Sequence, residues 1–555
     1  LVASKILPEL GPPEHRLQKL KDLIARAARY GIRVYFFCME PRALPVDHPA
    51  ARAHPEILGA PMAANRCMCA SQPKVLEYVR DATSALLKEA PDLAGLINIF
   101  CGERPTTCWW DDLRVQGCPL CRERPKPEML GKALNAFIDG IHDAGSNAEL
   151  IAWTYLMERN RETGPTAPMQ EVMAHSSPEV VWLGNFEHGT KKTIGGRDVQ
   201  IHEYALSCIG PSSSFGELAE HAMATGRSMY AKLQTGTSYE LSSVPYVPVP
   251  GIVLEKIAGA VKLGVTGSML TWIPGGFPSP MLKAVGEAAF VPDVSRAEFL
   301  RRLAAIEWGE QRAAAVADAW ARLGEAWQLY PFDLAVLYWG PVTRSPAYHL
   351  RLEREPRTAH PYNWGLTRKR EVQPYEDHIE RWVGPYAPAD IIASFREMGR
   401  RFSDAVATLR KALGEGSDEP DLERQIAVAE AVGLQCRSTA NVYAFYALRN
   451  RLFDLRAEER AAAVGQMIQA AEDDLELAER MKTCIAVEPA LGFASEIYDF
   501  SYSRRLLDEK ILQVREMLPA LRAWKERGVN PKSMQRTVEE AERLRPDRDP
   551  DRWGD

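Results

Sequence analysis

Several things are missing from this 555-residue sequence. No apolar run is long enough to cross a bilayer, which argues against a membrane partner. Basic charge is not in excess: 68 Lys and Arg face 74 Asp and Glu, for a formal net charge of −6, so nucleic acid is not the default partner. No Gly-x-Gly-x-x-Gly follows any apolar run, so the commonest nucleotide signature is absent. Neither His-x-His nor His-Glu-x-x-His occurs, which leaves no signature of a catalytic metal or other catalytic cofactor. The chain opens on Leu1 without a charged segment followed by an apolar one, and the expectation is that an N-terminal portion precedes it. Ten cysteines in so long a chain do not make a disulfide scaffold. Their clustering between Cys67 and Cys121 suits a reduced, cytoplasmic protein with a metal site.

What is present is an ordinary globular mix, 46% hydrophobic and 26% charged, in a chain long enough for about two to four domains. Residues 1–290 alternate strand-length apolar runs with helical patterns. The runs are Ile32–Cys38, Gly95–Cys101, Glu149–Tyr155, Glu179–Asn185, Ser228–Gln234 and Val265–Trp272. Most lack clean alternation, as expected of strands buried on both faces of a parallel sheet. Leu17, Leu20, Ile24 and Ala27 recur at helical spacing before the first run, and Leu130, Leu134, Phe137 and Ile141 before the third. Gly31 and Gly264 stand where a helix should stop and a strand begin. The pattern predicts an α/β fold, a (β/α)8 TIM-barrel-type domain over 1–290, with six strands visible and the first two expected upstream of Leu1. An open doubly wound sheet is the alternative.

After Val291 the character changes. Stretches 298–328, 390–414, 420–450, 457–484 and 504–526 carry helical periodicity, so 291–555 is predicted to be a mainly α-helical C-terminal domain. An aromatic-rich insert at 329–386 interrupts it, with Tyr330, Tyr338, Trp339 and Tyr348 in its first part.

The chemistry-bearing residues cluster just past the predicted strands. The second run leads into Gly102-Glu103-Arg104, the fourth into Asn185-Phe186-Glu187-His188, and the fifth into Thr237-Ser238-Tyr239-Glu240. A carboxylate at the C-terminal end of a barrel strand points into the mouth, where desolvation can make it a proton donor. Taken singly, each reads equally well as a capping or salt-bridged Glu. Trp153, Tyr155, Tyr239 and Trp272 stand at strand ends too, and aromatic platforms beside paired carboxylates suit the apolar faces and hydroxyl edges of sugars. Core packing would explain any one of these rings.

Five blocks in order carry a family resemblance: Tyr30 to Pro45, Pro91 to Glu103, Cys118-Pro119-Leu120-Cys121, Ser238 to Tyr246, and Trp272 to Pro280. Across residues 15–290 the chain resembles bacterial glycosidase-like proteins related to family 20 β-N-acetylhexosaminidases. The resemblance implies that the visible strands are the third to eighth of a barrel. Glu103 then falls at the fourth strand, where family 20 places its general acid, and Glu240 at the seventh. That family carries an Asp-Glu pair, whereas Gly102 precedes Glu103 here, which argues against substrate-assisted hydrolysis of an N-acetyl sugar. The expected function is an exo-acting glycoside hydrolase. Glu103 serves as acid/base, and Glu240 as nucleophile or stabiliser of the oxocarbenium-like transition state. Glu187 is the reserve second carboxylate. Glu40, Arg42, Trp153, Tyr155, Asn185, Tyr239 and Trp272 are expected to contact the carbohydrate. An Arg42 facing the pocket would favour a uronidase or lyase acting on acidic sugars. A carbohydrate-binding barrel without turnover is the rival from another class.

Cys108-x9-Cys118-x2-Cys121 has thiolate spacing for a structural zinc, with Cys67, Cys69 or Cys101 as fourth ligand; plain buried thiols are the alternative. The helical region could serve as lid, clamp or homo-oligomer surface.

Overall fold

The computed structural model describes residues 4–534 apart from 12–13, 63, 101–105, 111–113, 156–165, 203, 273–276, 355–376, 414–418 and 495–498. The chain divides into two compact units. One comprises Leu1–His188, Pro211–Leu233 and Ala260–Met269, the other Gly189–Gly210, Gln234–Gly259 and Leu270–Asp555. Several strand-following segments thus belong with the helical half, a division that differs from a single cut at residue 290.

All six expected strands form, in the first unit but for the last residue of the sixth: β1 (Tyr35–Cys38), β2 (Gly95–Ile99), β3 (Glu149–Trp153), β4 (Val181–Asn185), β5 (Met229–Leu233) and β6 (Gly267–Leu270). They make one sheet in sequence order, without the reversal a doubly wound sheet would show. β1 and β6 stand at the two ends of that order and do not pair with each other. The described residues therefore form six parallel strands of an α/β sheet, and not a closed eight-stranded barrel. Burial follows position: every residue of β4 is buried, whereas β1 and β6 are largely half-exposed. Gly31 and Gly264 close the helices ahead of β1 and β6 with φ of +68° and +69°, the left-handed stop expected there.

Side chains of alternate strands meet across the sheet. Tyr35 of β1 donates to Glu149 of β3 (2.5 Å), and Tyr230 of β5 donates to the other oxygen of the same carboxylate (3.3 Å). The even strands leave room for them. A Cβ on Gly95 of β2 would lie 3.0 Å from the Tyr35 ring, and one on Gly267 of β6 would lie 2.6 Å from that of Tyr230. Large residues on odd strands interleaved with glycine on even ones form a layer of the kind that fills the inside of a parallel barrel, so this face of the sheet is concave. Burial, and then Glu149, push the Tyr35 hydroxyl up to about 12.

Three short antiparallel strands, Ala43–Pro45, Leu58–Met62 and Asn65–Met68, form a separate small sheet between β1 and β2 in sequence.

The second unit carries the hairpin Lys191–Ile194 and Arg197–Gln200 and the expected helices. Stretch 298–328 splits into Arg296–Trp308 and Glu310–Trp327 at Gly309, whose φ is +78°. Helices Pro388–Leu413, Pro420–Arg451, Ala457–Val487 and Arg504–Arg527 each pack on the next. Their buried charges are paired. Arg449 donates to Asp377 at 2.9 Å and to the carbonyls of Arg351 and Glu353, with its guanidinium 4.6 Å from the Tyr446 ring. Lys510 sits 2.9 Å from Asp474, and both are fully buried. Among the described residues no helix is long and apolar enough to cross a membrane.

Candidate active site

The concave face of the sheet turns polar and aromatic towards its C-terminal edge. Residues two apart on a strand share a face, and so do laterally paired residues of parallel strands. Trp153 lies four residues beyond Glu149 and pairs with Leu183, which pairs with Tyr230; Asn185 lies two beyond Leu183 and pairs with Lys232. Trp153, Asn185 and Lys232 therefore stand on the face that Glu149 and Tyr230 occupy lower down. The Trp153 indole N–H donates to Asn185 Oδ1 at 3.0 Å, and Lys232 is fully buried. Tyr155 meets Trp153 edge to face, ring centroids 5.1 Å apart, and holds a φ of +34° just past β3. A non-glycine residue in that region is strained, and such strain concentrates at functional sites. Glu187 and His188 follow β4 and are buried.

Glu40 follows β1. It is buried, its Oε2 accepts the Arg42 backbone N–H at 3.1 Å, and its own carbonyl accepts from Asn98 of β2 at 3.0 Å. Burial dominates and raises its carboxyl above the usual range, although Arg42 and its backbone N–H pull the other way. The Arg42 side chain itself is exposed.

Glu103, the expected acid, lies outside the described residues, as does Cys101. Phe100 precedes them, and Thr106 follows, buried, with its hydroxyl donating to the Phe100 carbonyl.

Glu240 belongs to the second unit, in the short turn Tyr239–Leu241. Its side chain is fully buried and its oxygens are held. The N–H of Leu206 donates at 2.7 Å, that of Ser207 at 3.1 Å, and the Ser238 hydroxyl at 2.7 Å. The Glu240 carbonyl accepts from the Tyr330 hydroxyl at 2.9 Å. Tyr239 lies between Tyr204 and Tyr338, with centroids at 6.0 and 5.6 Å. Beside this turn is a residue the sequence did not single out, Lys192 of the hairpin. Its ammonium donates to the Ser207 hydroxyl and to the Tyr330 carbonyl, both at 3.0 Å. Burial pulls its pKa down to about 8, opposed by Glu240. Trp272 is half-exposed and follows Thr271, whose φ is +70° and whose hydroxyl lies 3.3 Å from that of Thr235.

The structure thus gathers Trp153, Tyr155, Asn185 and Glu187 at the ends of neighbouring strands, and sets Tyr239 and Glu240 in a separate framework of backbone donors and rings. Lys232 and Asn98 went unremarked in the sequence. Their signal was a lysine and an asparagine inside otherwise apolar strands.

A second group of reactive side chains lies in the first unit. The Sγ atoms of Cys69, Cys108, Cys118 and Cys121 lie within 4.8 Å of one another, all buried. Cys67 is buried in the same apolar cluster but is not one of the four.

No protein-family model matches the chain, and no curated protein matches it in sequence. Among solved structures it is similar to a GH138 enzyme targeting pectin rhamnogalacturonan II, at a TM-score of 0.49 and 12% identity over 95% of this chain. The chain spans 62% of the length of that enzyme. It is also similar to a mutant of the Thermobaculum terrenum O-GlcNAc hydrolase, at a TM-score of 0.38 and 13% identity over 94% of this chain and 86% of that one. At these scores the likenesses carry no residue roles across.

Proposed function

We propose that this chain is a glycoside hydrolase, exo-acting on a terminal sugar through two carboxylates, built on a barrel-type parallel sheet. The observation that supports this reading best is the concave face itself. Its tyrosine–glutamate–glycine layer closes off the N-terminal end, and Trp153, Asn185 and Lys232 occupy the C-terminal end where barrel chemistry sits. The Trp153 indole, fully buried and fixed by an amide, sets an apolar ring beside hydrogen-bonding groups, the combination carbohydrate recognition uses.

Glu103, on the segment after β2, is the proposed acid that protonates the leaving oxygen and later activates water. The second carboxylate was expected to be Glu240. A nucleophile must bring an oxygen up to the anomeric carbon, and both Glu240 oxygens already accept hydrogen bonds at a fully buried position. Glu187, which follows β4 directly after Asn185 and Phe186 and is likewise fully buried, is the other candidate for the role. Exposure of Arg42 gives no support to a uronidase or lyase.

The test is turnover of a panel of aryl glycosides, including N-acetylhexosaminides and uronides, by the intact chain and by Glu103→Gln. We expect a loss of about 10²–10⁴-fold in the variant at unchanged melting temperature. Glu187→Gly and Glu240→Gly assayed with azide then identify the nucleophile, because azide entering a vacated nucleophile position gives a glycosyl azide of inverted configuration. Tight sugar binding with no turnover by the wild-type chain would overturn the hydrolase in favour of a binding protein.

A further inference from the structure

We infer that Cys69, Cys108, Cys118 and Cys121 form a tetrathiolate zinc site that fixes the segment following β2 against the small sheet that follows β1. A zinc ion bound by four sulfurs at about 2.3 Å sets those sulfurs about 3.8 Å apart. Cys69 Sγ lies 3.4 Å from that of Cys121 and 3.7 Å from that of Cys118, and all four fit within 4.8 Å. A disulfide would bring two sulfurs to about 2.05 Å, and all four are free thiols. A multi-iron cluster would spread its thiolates farther than this enclosure permits. Sulfur-only tetrahedral surroundings select zinc among the common divalent ions.

The surroundings are shaped for the purpose. The Ala60 N–H donates to Cys108 Sγ at 3.3 Å, and the Ser71 hydroxyl lies 3.2 Å from Cys121 Sγ. Donors aimed at sulfur are the supporting contacts a metal-bound thiolate uses. Gly59 passes so close that a Cβ there would overlap Cys108 Sγ and stand 3.4 Å from Cys118 Sγ. A Cβ on Gly117 would likewise lie 2.6 Å from Pro61. The small sheet and the segment carrying Cys108, Cys118 and Cys121 meet at two glycines that leave no room for a side chain. On binding, each of the four thiols gives its proton to solvent and each sulfur donates an electron pair to the zinc ion, with no change of oxidation state.

The site explains what holds a long segment with little regular structure. Residues 108–121 contain only two short 3-10 turns among the described residues, Cys108–Trp110 and Arg114–Gly117, yet Cys108, Val115, Cys118 and Cys121 are all buried. Three ligands come from this segment and the fourth from Cys69, just after the strand Asn65–Met68. Cys108 stands five residues after Glu103, so the same ion would restrain the segment on which the proposed acid lies. The metal itself does not depend on that role.

Elemental analysis of the full chain, purified in reducing buffer and dialysed against a weak chelator, tests the site without reference to activity. One zinc per chain is expected. Replacement by cobalt should give the intense visible absorption of a tetrahedral tetrathiolate. Cys69→Ser and Cys118→Ser should each lose at least about nine-tenths of the zinc, whereas Cys67→Ser, a change in the same buried cluster, should retain it. A folded wild-type chain with no metal and four freely alkylated thiols would overturn the inference. So would iron in place of zinc, a Cys69–Cys121 disulfide found by peptide mapping, or loss of zinc in Cys67→Ser equal to that in Cys69→Ser.

Discussion

The two units answer their buried charges with different partners. In the helical unit Arg449 meets Asp377 and two carbonyls, Lys510 meets Asp474, and Glu240 is wrapped by two N–H groups and a hydroxyl. Each desolvated charge there is answered at hydrogen-bonding distance, the condition under which buried ions are tolerated. In the sheet unit Glu40 accepts a backbone N–H, and burial outweighs it so that the carboxyl holds its proton more tightly than usual, as burial also does for Asp474 in the helical unit. Each unit holds a described non-glycine residue with a left-handed backbone just past a strand, Tyr155 after β3 and Thr271 after β6. Buried charge paired with its opposite, as at Arg449 and Asp377 or Lys510 and Asp474, holds the helical unit together. A carboxyl whose proton burial holds more tightly, in a sheet with a strained residue at a strand end, is the kind of group a catalytic site uses.

The largest effect should come from breaking an answered charge. Arg449→Met leaves Asp377 buried without its guanidinium, and we expect about 3–5 kcal/mol of lost stability in denaturant titrations. A loss under about 1 kcal/mol would show that Asp377 finds water and that the helical unit is less closed than it is here. Glu240→Gln comes next. If the residue is framework, the Leu206 and Ser207 N–H groups keep one acceptor and lose the other, at a cost of about 1–3 kcal/mol. If it is catalytic only, activity falls while stability holds.

The smallest effects are two opposite pH dependences, both read as melting temperature. The Glu40 pKa is raised in the folded state, so above the ordinary carboxylate range the native chain binds more protons than the unfolded one, and stability falls as pH rises through that window. Glu40→Gln should therefore melt higher than wild type at pH 7, with the gain vanishing towards pH 4. The Lys192 pKa is lowered to about 8, so between there and its ordinary 10.5 the unfolded chain binds more protons and stability rises with pH. Lys192→Met should flatten the rise between pH 8 and 10. An unchanged slope would show that its burial carries no such cost.

Much of this was legible in the sequence. The six strands announced themselves as short apolar runs, the first and last introduced by glycine, and the long C-terminal helices by their periodicity. The strands of the small sheet did not, because Ala43–Pro45 and Leu58–Met62 are short, contain proline and show no alternation. The hairpin 191–200 could have been found: Gly195 and Gly196 both take positive φ, as a two-residue hairpin turn requires. Cys69 was not separable from Cys67 by spacing, since residues two apart share a strand face. The framework around Glu240 was least legible. Its partners at 206, 207 and 330 are distant in sequence and mostly backbone, and a backbone N–H leaves no trace in residue type.

Ser243, two residues beyond that turn, adds a consequence for how the molecule comes into being. Its hydroxyl accepts from Gln435 at 2.7 Å, and its carbonyl accepts from the Tyr502 hydroxyl at 3.2 Å. Neighbouring strands of the sheet, by contrast, find each other within a few dozen residues of chain. On a ribosome the sheet can assemble progressively as it emerges, while residues 238–243 must wait for partners made some 260 residues later. A nascent chain stopped before Tyr502 would hold a nearly finished sheet beside an unsupported turn, and cellular quality control would meet it as a half-built protein.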